Sequence, residues 1–338
     1  MKVSLIMPVR NEEKTVQLTL GSIHRQTRRP DELIIADGRS TDGTVQLIRS
    51  LSDADFPLQI VDNSALLAGA GRNVAIEKAR FDLVAATDFG TILDPHWLEE
   101  IVKPLEDDPA VDMVGGRACP LVTNWIENCV AAVLHSSNML RLDRFTAEEI
   151  QRLLARNPPL PGGNSVAFRK KIWQKAGGYP SWIKTSEDKL FARKVNRIGG
   201  KIAISLHAVA YYEPRDTLSK VFRQFYSYSR GNAQSRQVSN NFWKLLAKAG
   251  LGVGLFSAGL IKPLYWYALA ACLGLHLYRA GFRPYLNLNE NPWDLKIFLL
   301  IPAVVLTHNA ASLLGHLAGY YDWWTEPCYR LKYRQYMQ

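Results

Sequence analysis

The sequence predicts an α/β fold with a mixed, mostly parallel sheet, followed by C-terminal hydrophobic helices associated with a membrane. Three observations predict it. Short apolar runs alternate with segments of helical spacing over residues 2–115, several of those runs stop on a carboxylate, and beyond Lys248 charge becomes sparse.

Lys2 to Arg10 is a brief apolar run ended by Pro8, with no longer hydrophobic region and no small-residue cleavage site. It reads as a strand rather than a signal peptide. Within Glu12 to Gln26, Val16, Leu20 and Ile23 recur at helical spacing, and Leu33 to Ala36 is a second buried strand that stops at Asp37. Strand, helix and strand form a βαβ unit. The pattern repeats, with Thr44 to Leu51 helical, Leu58 to Val61 a strand, Gly71 to Ala79 helical, and Leu83 to Thr87 a strand ending on Asp88. A helix is expected over Pro95 to Leu105, with Trp97, Leu98, Ile101 and Val102 on its apolar face, and a strand over Val111 to Gly115. Ligands of open α/β sheets bind at the carboxyl ends of strands, so Asp37 and Asp88 should converge on one crevice. Val122 to Leu154 reads as mainly helical, and Asn157 to Asn164 as a breaker-rich loop. His207 lies in an apolar strand-like run and reads as a core histidine.

With 338 residues, 47% hydrophobic and 21% charged, the chain is neither disordered nor fibrous, and its length suits two cores or one enlarged domain. Cys119, Cys129, Cys272 and Cys328 form no C-x-x-C pair, which points away from a zinc site or a disulfide framework and towards a reducing compartment. Lys and Arg number 41 against 31 Asp and Glu, a net charge of +10. Arg215, Lys220, Arg223, Arg230, Arg236, Lys244 and Lys248 stand against the lone Asp216 and run into apolar sequence, the pattern of a juxtamembrane basic belt. Charge placed there, rather than on a recognition helix, argues against nucleic-acid binding.

Ile297 to Tyr321 contains no Asp, Glu, Lys or Arg and is flanked by Trp293, Trp323 and Trp324. A hydrocarbon core needs about 20 such residues, so this is a candidate membrane span. Ala249 to Tyr278 is apolar but carries Lys262 and Pro263 near its middle; it either crosses kinked or lies as two short interfacial helices. Lys332 and Arg334 then suit a cytoplasmic tail.

Four segments carry the chemistry. Pro8 to Glu12 sits where a dinucleotide-binding protein would carry G-x-G-x-x-G, and lacks it. Asp37 to Thr44 offers a carboxylate suited to a base N–H or a ribose hydroxyl, although by itself it reads as a turn with a helix cap. Arg72 opens a helix with a fork of donors suited to a phosphate or a pyrimidine carbonyl, although an arginine in a first turn is more often a surface residue. Asp88 supplies the hard oxygen ligands that Mg²⁺ or Mn²⁺ prefers.

Taken together, these segments resemble the family 2 glycosyltransferases of the GT-A fold, whose motifs run P-x-x-N-E, D-x-x-S-x-D-G-T, x-R-N and D-x-D. The match in order and spacing covers residues 2–236, and within the family the chain most resembles bacterial exopolysaccharide enzymes of the succinoglycan type. The resemblance implies an inverting enzyme at the cytoplasmic face of the inner membrane, moving a sugar from a nucleotide-diphosphate-sugar to a lipid-linked or other membrane-proximal glycan acceptor, for cell-surface or exopolysaccharide synthesis. It implies that Pro8, Glu12, Asp37 and Arg72 serve the nucleotide, that Asp88 serves the ribose and a divalent cation, and that Gly162, Gly163 and Asn164 lie beside sugar and acceptor. Glu187 and Asp188 match the family's acidic pair, with Asp188 as general base, and Arg223 and Arg230 match its closing segment.

Gly90 stands where the second Asp of D-x-D falls. Either Asp88 holds the cation with waters and the diphosphate, or Arg72, Arg223 or Arg230 supplies the positive charge. The Q-x-x-R-W signature of processive synthases is missing, which favours transfer of single sugars. The implied division is a catalytic domain over residues 1–240 and a basic, aromatic and hydrophobic membrane-associated region over 241–338. Two other classes are weighed: a sugar-phosphate nucleotidyltransferase, which would carry a Gly-rich basic loop where Pro8 to Glu12 stands, and a non-catalytic membrane scaffold with a degenerate fold, suggested by Gly90.

Overall fold

The computed structural model describes residues 1–51, 57–134, 160–237, 240–289 and 294–338. Trp293, residues 135–154 of the expected helical stretch and residues 157–159 of the breaker-rich loop lie outside the described residues. The chain groups into two compact units, each discontinuous in sequence: residues 1–121, 159–213 and 328–338 form the first, and residues 122–158 and 214–327 the second. The boundary expected at residue 240 is thus drawn differently. The basic helix after Arg215 belongs with the apolar helices, and the last eleven residues return to the sheet-bearing unit.

Among the described residues the first unit is built on an eight-stranded sheet of order β3-β2-β1-β4-β7-β6-β8-β5. Its strands are β1 (Val3–Val9), β2 (Glu32–Asp37), β3 (Leu58–Asp62), β4 (Leu83–Ala86), β5 (Thr91–Leu93), β6 (Val111–Pro120), β7 (Val166–Arg169) and β8 (Lys201–Tyr212). Strands β1 to β4 are mutually parallel, as the βαβ pattern predicts, whereas β7 runs antiparallel to both β4 and β6. The helices α1 (Val16–His24), α2 (Thr44–Ser50), α3 (Ala68–Lys78) and α4 (Trp97–Asp107) fall close to their expected places, and α6 (Lys170–Ala176) and α7 (Glu187–Arg197) follow β7.

The two faces of the sheet bury alternate residues, because successive side chains of a strand point to opposite sides. Leu5, Leu33, Ile35 and Ala85 pack with Val16, Leu20, Ile48 and Trp97 of α1, α2 and α4. Ile6, Ile34, Ala36 and Val84 pack with Ala75, Ile172 and Phe191 of α3, α6 and α7. A parallel strand buried on both faces reads as an unbroken apolar run, which is why β1, β2 and β4 are plain in the sequence. Pro8 fits inside β1 for a specific reason. Ile6 O accepts from Thr87 N, so Pro8, two residues on, aims its nitrogen to the same side, past β4's last residue Ala86, and its missing donor costs no ladder bond.

The second unit is helical among the described residues. It comprises α5 (Trp125–Leu134), α8 (Leu218–Gln234), α9 (Asn240–Gly259), α10 (Leu264–Leu277), a π-turn (Tyr278–Phe282), α11 (Arg283–Leu288) and α12 (Ile297–Thr325). Ala249 to Tyr278 is not one kinked span but a hairpin of α9 and α10, closed by Phe256 against Trp266 with ring centroids 5.0 Å apart. Lys262 and Pro263 form its turn, where a proline can start a helix but not continue one. α12 is long and apolar enough to cross a membrane. Gly315 and Gly319 press it directly onto the backbone of α8 at Tyr226 and Arg230, a contact a larger residue would block.

The last helix, α13 (Pro327–Met337), packs Met337 and Tyr333 against Ile183 and Leu190 in the first unit, and Tyr336 donates to Gly178 O at 2.7 Å. His207, expected in the core, is exposed, because it lies between Ile204 and Val209, where β8 breaks register with β6 in a bulge.

Candidate active site

The first unit gathers carboxylates from distant parts of the chain at one end of its sheet. Asp37 ends β2 and pairs in register with Val9 of β1 and Asp62 of β3. Its carboxylate accepts from Ser40 Oγ at 2.6 Å and from Ser40 N at 3.2 Å. Asp88 follows β4, and β1 alone separates β2 from β4, so the two aspartates stand about 10 Å apart at typical strand spacing.

The loop after β2 is stitched to the loop after β1. Asn11 accepts from Thr41 N at 2.8 Å, Asn11 N donates to Ser40 Oγ at 2.9 Å, and Glu12 N donates to Thr44 Oγ1 at 2.8 Å. Asn11 and Arg39 both adopt left-handed backbone, with φ of 54° and 55°. Asp42 is consumed locally as an acceptor from Thr44, and the Thr44 hydroxyl draws its carboxyl below the ordinary range. Glu12 likewise folds back to accept from Thr15 Oγ1 at 2.8 Å. Asp42 therefore serves the turn before α2, whose N-cap is Gly43 without a side-chain cap bond, while Asp37 is aimed by Ser40.

Arg72 is the centre of the arrangement and not a surface residue. Only 2% of its side chain is exposed, with Nη2 donating to Asp88 Oδ1 at 2.5 Å and Nη1 to Glu187 Oε1 at 2.7 Å. Its guanidinium lies 5.5 Å from the centre of the Tyr179 ring. Burial alone would weaken its hold on the proton, but Asp88 and then Glu187 outweigh that, and its pKa is raised. Nε is buried without a hydrogen-bond partner among the described residues. Burial, aided by Asp188 and opposed by Arg72, pushes the Glu187 carboxyl up to about 7.

The loop before β7 closes over this pair. A side chain at Gly163 would collide with the Arg72 guanidinium, so only glycine lets the backbone pass. Gly163 N then donates to Asp188 Oδ2 at 2.8 Å, Thr87 Oγ1 to Asn164 O at 2.8 Å, and Trp97 Nε1 to Ser165 Oγ at 2.8 Å. A Cβ on Gly162 would lie 3.6 Å from Asp188 Oδ2. Asp188 sits in the first turn of α7 after Ser186, itself left-handed at φ 68°.

Pro8 closes the same end of the sheet, since a Cβ on Gly71, beside Arg72, would lie 3.3 Å from Pro8 Cβ. Pro8, Asp37, Arg72, Asp88, Gly162, Gly163, Asn164, Glu187 and Asp188 are thus all carried by the first unit. Arg223 and Arg230 are carried by α8 in the second. Arg230 has Asp322 as its partner there, with Nε to Oδ2 at 2.6 Å and Nη2 to Oδ1 at 2.9 Å.

Two contributors went unassigned by sequence reasoning. Asn73 accepts from Trp173 Nε1 and Tyr179 N and donates to Tyr179 O, pinning the Gly177–Tyr179 turn against α3. Its position directly after Arg72 in x-R-N was the available signal. Tyr336 braces the same turn from α13 and left no local signal.

The residues fit a divalent cation on one condition. No group of three or more His, Cys, Asp or Glu capable of holding an ion is found among the described residues. Asp88, 38% exposed, gives one carboxylate oxygen to Arg72. One guanidinium faces Asp88, Glu187 and Asp188, leaving an excess of negative charge, and Mg²⁺ commonly takes one or two carboxylates together with substrate phosphates. At Gly90 (φ 82°) a Cβ would meet only Thr15 Cγ2 at 3.9 Å, so conformation rather than space favours glycine there.

Comparison with known proteins agrees with this geometry. The O-antigen chain rhamnosyltransferase RfbN of Salmonella typhimurium is 24% identical over 244 residues, 72% of this chain and 76% of its own. The succinoglycan biosynthesis protein ExoA of Rhizobium meliloti is 24% identical over 303 residues, 82% of this chain and 85% of its own. A mannosyltransferase from Pyrobaculum calidifontis, solved with GDP-mannose and Mn²⁺, shares the fold at a TM-score of 0.54 and 19% identity, over 92% of this chain and 87% of that one. The fold is GT-A. Residues 4–175, which span the strands that carry Asp37 and Asp88 and the turn that covers Arg72, match the description Glycosyl transferase family 2, and the chain belongs to that family of enzymes.

Proposed function

We propose that this glycosyltransferase is inverting and moves a sugar from a nucleotide-diphosphate-sugar to a lipid-linked or other membrane-proximal glycan acceptor at the cytoplasmic face of the inner membrane. The observation that carries it is the bridge through Arg72: one buried guanidinium ties the strand-end Asp88 to the helix-start Glu187, and Gly163 ties the same network to Asp188.

In this reading Asp37 accepts hydrogen bonds from the nucleotide and Asp88 lies at the diphosphate. A divalent cation, when bound, supplies positive charge to the departing diphosphate, and Asp88 would hold it. Arg72 is then a positioning residue rather than a phosphate ligand, because its side chain is only 2% exposed and each terminal nitrogen is turned to a carboxylate. Asp188 accepts the acceptor hydroxyl's proton while that oxygen attacks the anomeric carbon. The bond from the anomeric carbon to the phosphate oxygen breaks, and its electron pair leaves on the nucleoside diphosphate. A single displacement inverts the anomeric centre, and one base suffices because a diphosphate departs without being protonated. Gly163 N and Lys189 N each take one lone pair on Asp188, leaving others for the incoming proton.

Relatives named for O-antigen and succinoglycan synthesis support a cell-surface polysaccharide product, and the mannosyltransferase structure solved with Mn²⁺ supports the cation. The basic belt and the apolar helix α12 support membrane association. The test is transfer from radiolabelled UDP-, GDP- and dTDP-sugars to membrane extracts, with and without EDTA, using Asp188→Asn as the control. One donor should label an organic-extractable product only without EDTA and only with Asp188 intact. Labelling that persists in Asp188→Asn would remove the proposed base, and labelling that persists in EDTA would remove the cation.

A further inference from the structure

The α9–α10 hairpin leaves apolar side chains uncovered among the described residues. Its turn exposes Leu260, Ile261 and Leu264, the last two at 81% and 73%. Alongside lies a cavity of about 460 Å³ between α9, α10 and the π-turn, within the size range of ligand sites, about 300–1,000 Å³.

The cavity is polarised along the hairpin. Towards the turn it is lined by Leu251, Leu255, Leu269 and Leu273; at the open end stand Lys248, His276 and Arg279. Lys248 Nζ reaches His276 Nδ1 at 3.3 Å, and the Asn309 amide meets the other ring nitrogen at 2.8 Å. Neither Lys248 nor Arg279 has an acidic partner among the described residues, and no Asp or Glu occurs anywhere from Thr217 to Asn289. Arg279 lies on a π-turn, a distortion that recurs at functional positions. An unneutralised pair of cations above a leucine-lined groove complements an amphiphile with an anionic head.

The dimensions agree. From Lys248 to the end of α9 at Gly259 the helix rises about 16 Å, close to one leaflet of a hydrocarbon core about 30 Å thick. With the apolar turn at the bilayer centre, Lys248 and Arg279 stand at headgroup depth.

We propose that this groove binds one anionic phospholipid, its phosphate held by Lys248 and Arg279 and one acyl chain laid along Leu251, Leu255, Leu269 and Leu273. The site rests on the membrane association proposed above but not on the identity of donor or acceptor. A lipid held this way would fix the depth of the hairpin.

Cys272 lines the groove and is exposed, and Cys328, exposed in the other unit, is an internal control. In neutral maltoside micelles, which cover the hairpin equally in every arm, the alkylation rate of Cys272 relative to Cys328 is measured with added phosphatidylglycerol, phosphatidylcholine or a polyprenyl phosphate. Phosphatidylglycerol should slow Cys272 and phosphatidylcholine should not. The pair Lys248→Gln and Arg279→Gln should need about twenty-fivefold more phosphatidylglycerol, since each base near an anionic headgroup is worth about a factor of five. Cys272→Trp should abolish the retained lipid adduct seen by native mass spectrometry in the wild type. Equal protection by phosphatidylcholine, or protection by polyprenyl phosphate alone, overturns the assignment. Sedimentation with phosphatidylglycerol vesicles, run in parallel, tests the membrane association separately: sedimentation without Cys272 protection overturns only the lipid site, whereas failure to sediment overturns the association itself.

Discussion

β2 and α10 are similarly apolar in sequence and opposite in circumstance. Leu33, Ile34 and Ile35 of β2 are each 1% exposed or less, while Leu264 and Tyr267 of α10 are exposed by 73% and 76% and no residue of α10 is buried. The same contrast holds for charge. In the first unit Arg72 is enclosed and shared by two carboxylates, whereas Lys248 and Arg279 have no acidic partner among the described residues. A region with every apolar face covered and its buried charge paired holds its geometry unaided, as a reaction centre must. A region with neither leaves apolar surface and unneutralised charge exposed, which a lipid surface would cover under the membrane association proposed above.

Substitutions in the two regions should therefore fail in different assays. The largest effect is expected from Asp188→Asn, which should cut kcat about 10³-fold, the scale of a lost general base, while nucleotide binding measured by calorimetry stays within about twofold. Arg72→Met leaves Glu187 buried beside Asp188 without its cation and should lower the unfolding free energy by about 3–5 kcal/mol in urea titration. Equal stability would mean that the two acids do not depend on the bridge. Tyr336→Phe removes the donor to Gly178 O and should cost about 1 kcal/mol, with a lower kcat at unchanged donor affinity if α13 braces the turn beside Asn73. At the other extreme, Ile261→Asp should leave urea stability within about 0.5 kcal/mol while abolishing sedimentation with lipid vesicles. A marked loss of stability there would show that the turn is covered by protein.

Two carboxylates sharpen the comparison through pH. Glu106, bonded to Arg28, is held down to about 2, so its stabilising contribution is present above the ordinary value of 4.5 and lost as pH falls towards 2. Glu187 has the opposite sign. Raised to about 7 by burial, its contribution is complete below 4.5 and is lost as pH rises through 7. Glu106→Gln should flatten the acid limb of the stability profile, and Glu187→Gln the limb between pH 4.5 and 7.

The central strands were legible because parallel pairing buries both faces and leaves unbroken apolar runs that stop at the crevice, as Asp37 and Asp88 do. The catalytic-looking turn at Gly162 and Gly163 was legible as a breaker cluster. The enclosure of Arg72 was not, because an arginine in the first turn of a helix looks the same whether it faces water or two acids from residues 88 and 187. Pairing across such separations leaves no local trace. The return of α13 was hidden for the same reason: Lys332 and Arg334 suit a cytoplasmic tail equally well, and only Met337 meeting Leu190 reveals the packing. Lys262 and Pro263 marked an interruption correctly, but a kink and a hairpin turn use the same residues, and Phe256 against Trp266 decides between them.

The most direct test of the crevice is calorimetric titration of UDP, GDP and dTDP into the wild-type protein and Asp88→Asn, with Mn²⁺ and with EDTA. One diphosphate should bind the wild type at least about tenfold more tightly with Mn²⁺, the differential expected of a cation bridging phosphate and carboxylate, and Asp88→Asn should erase that difference. Binding that ignores both Mn²⁺ and Asp88, or no binding of any of the three, would contradict the assignment of this crevice to a sugar-nucleotide donor.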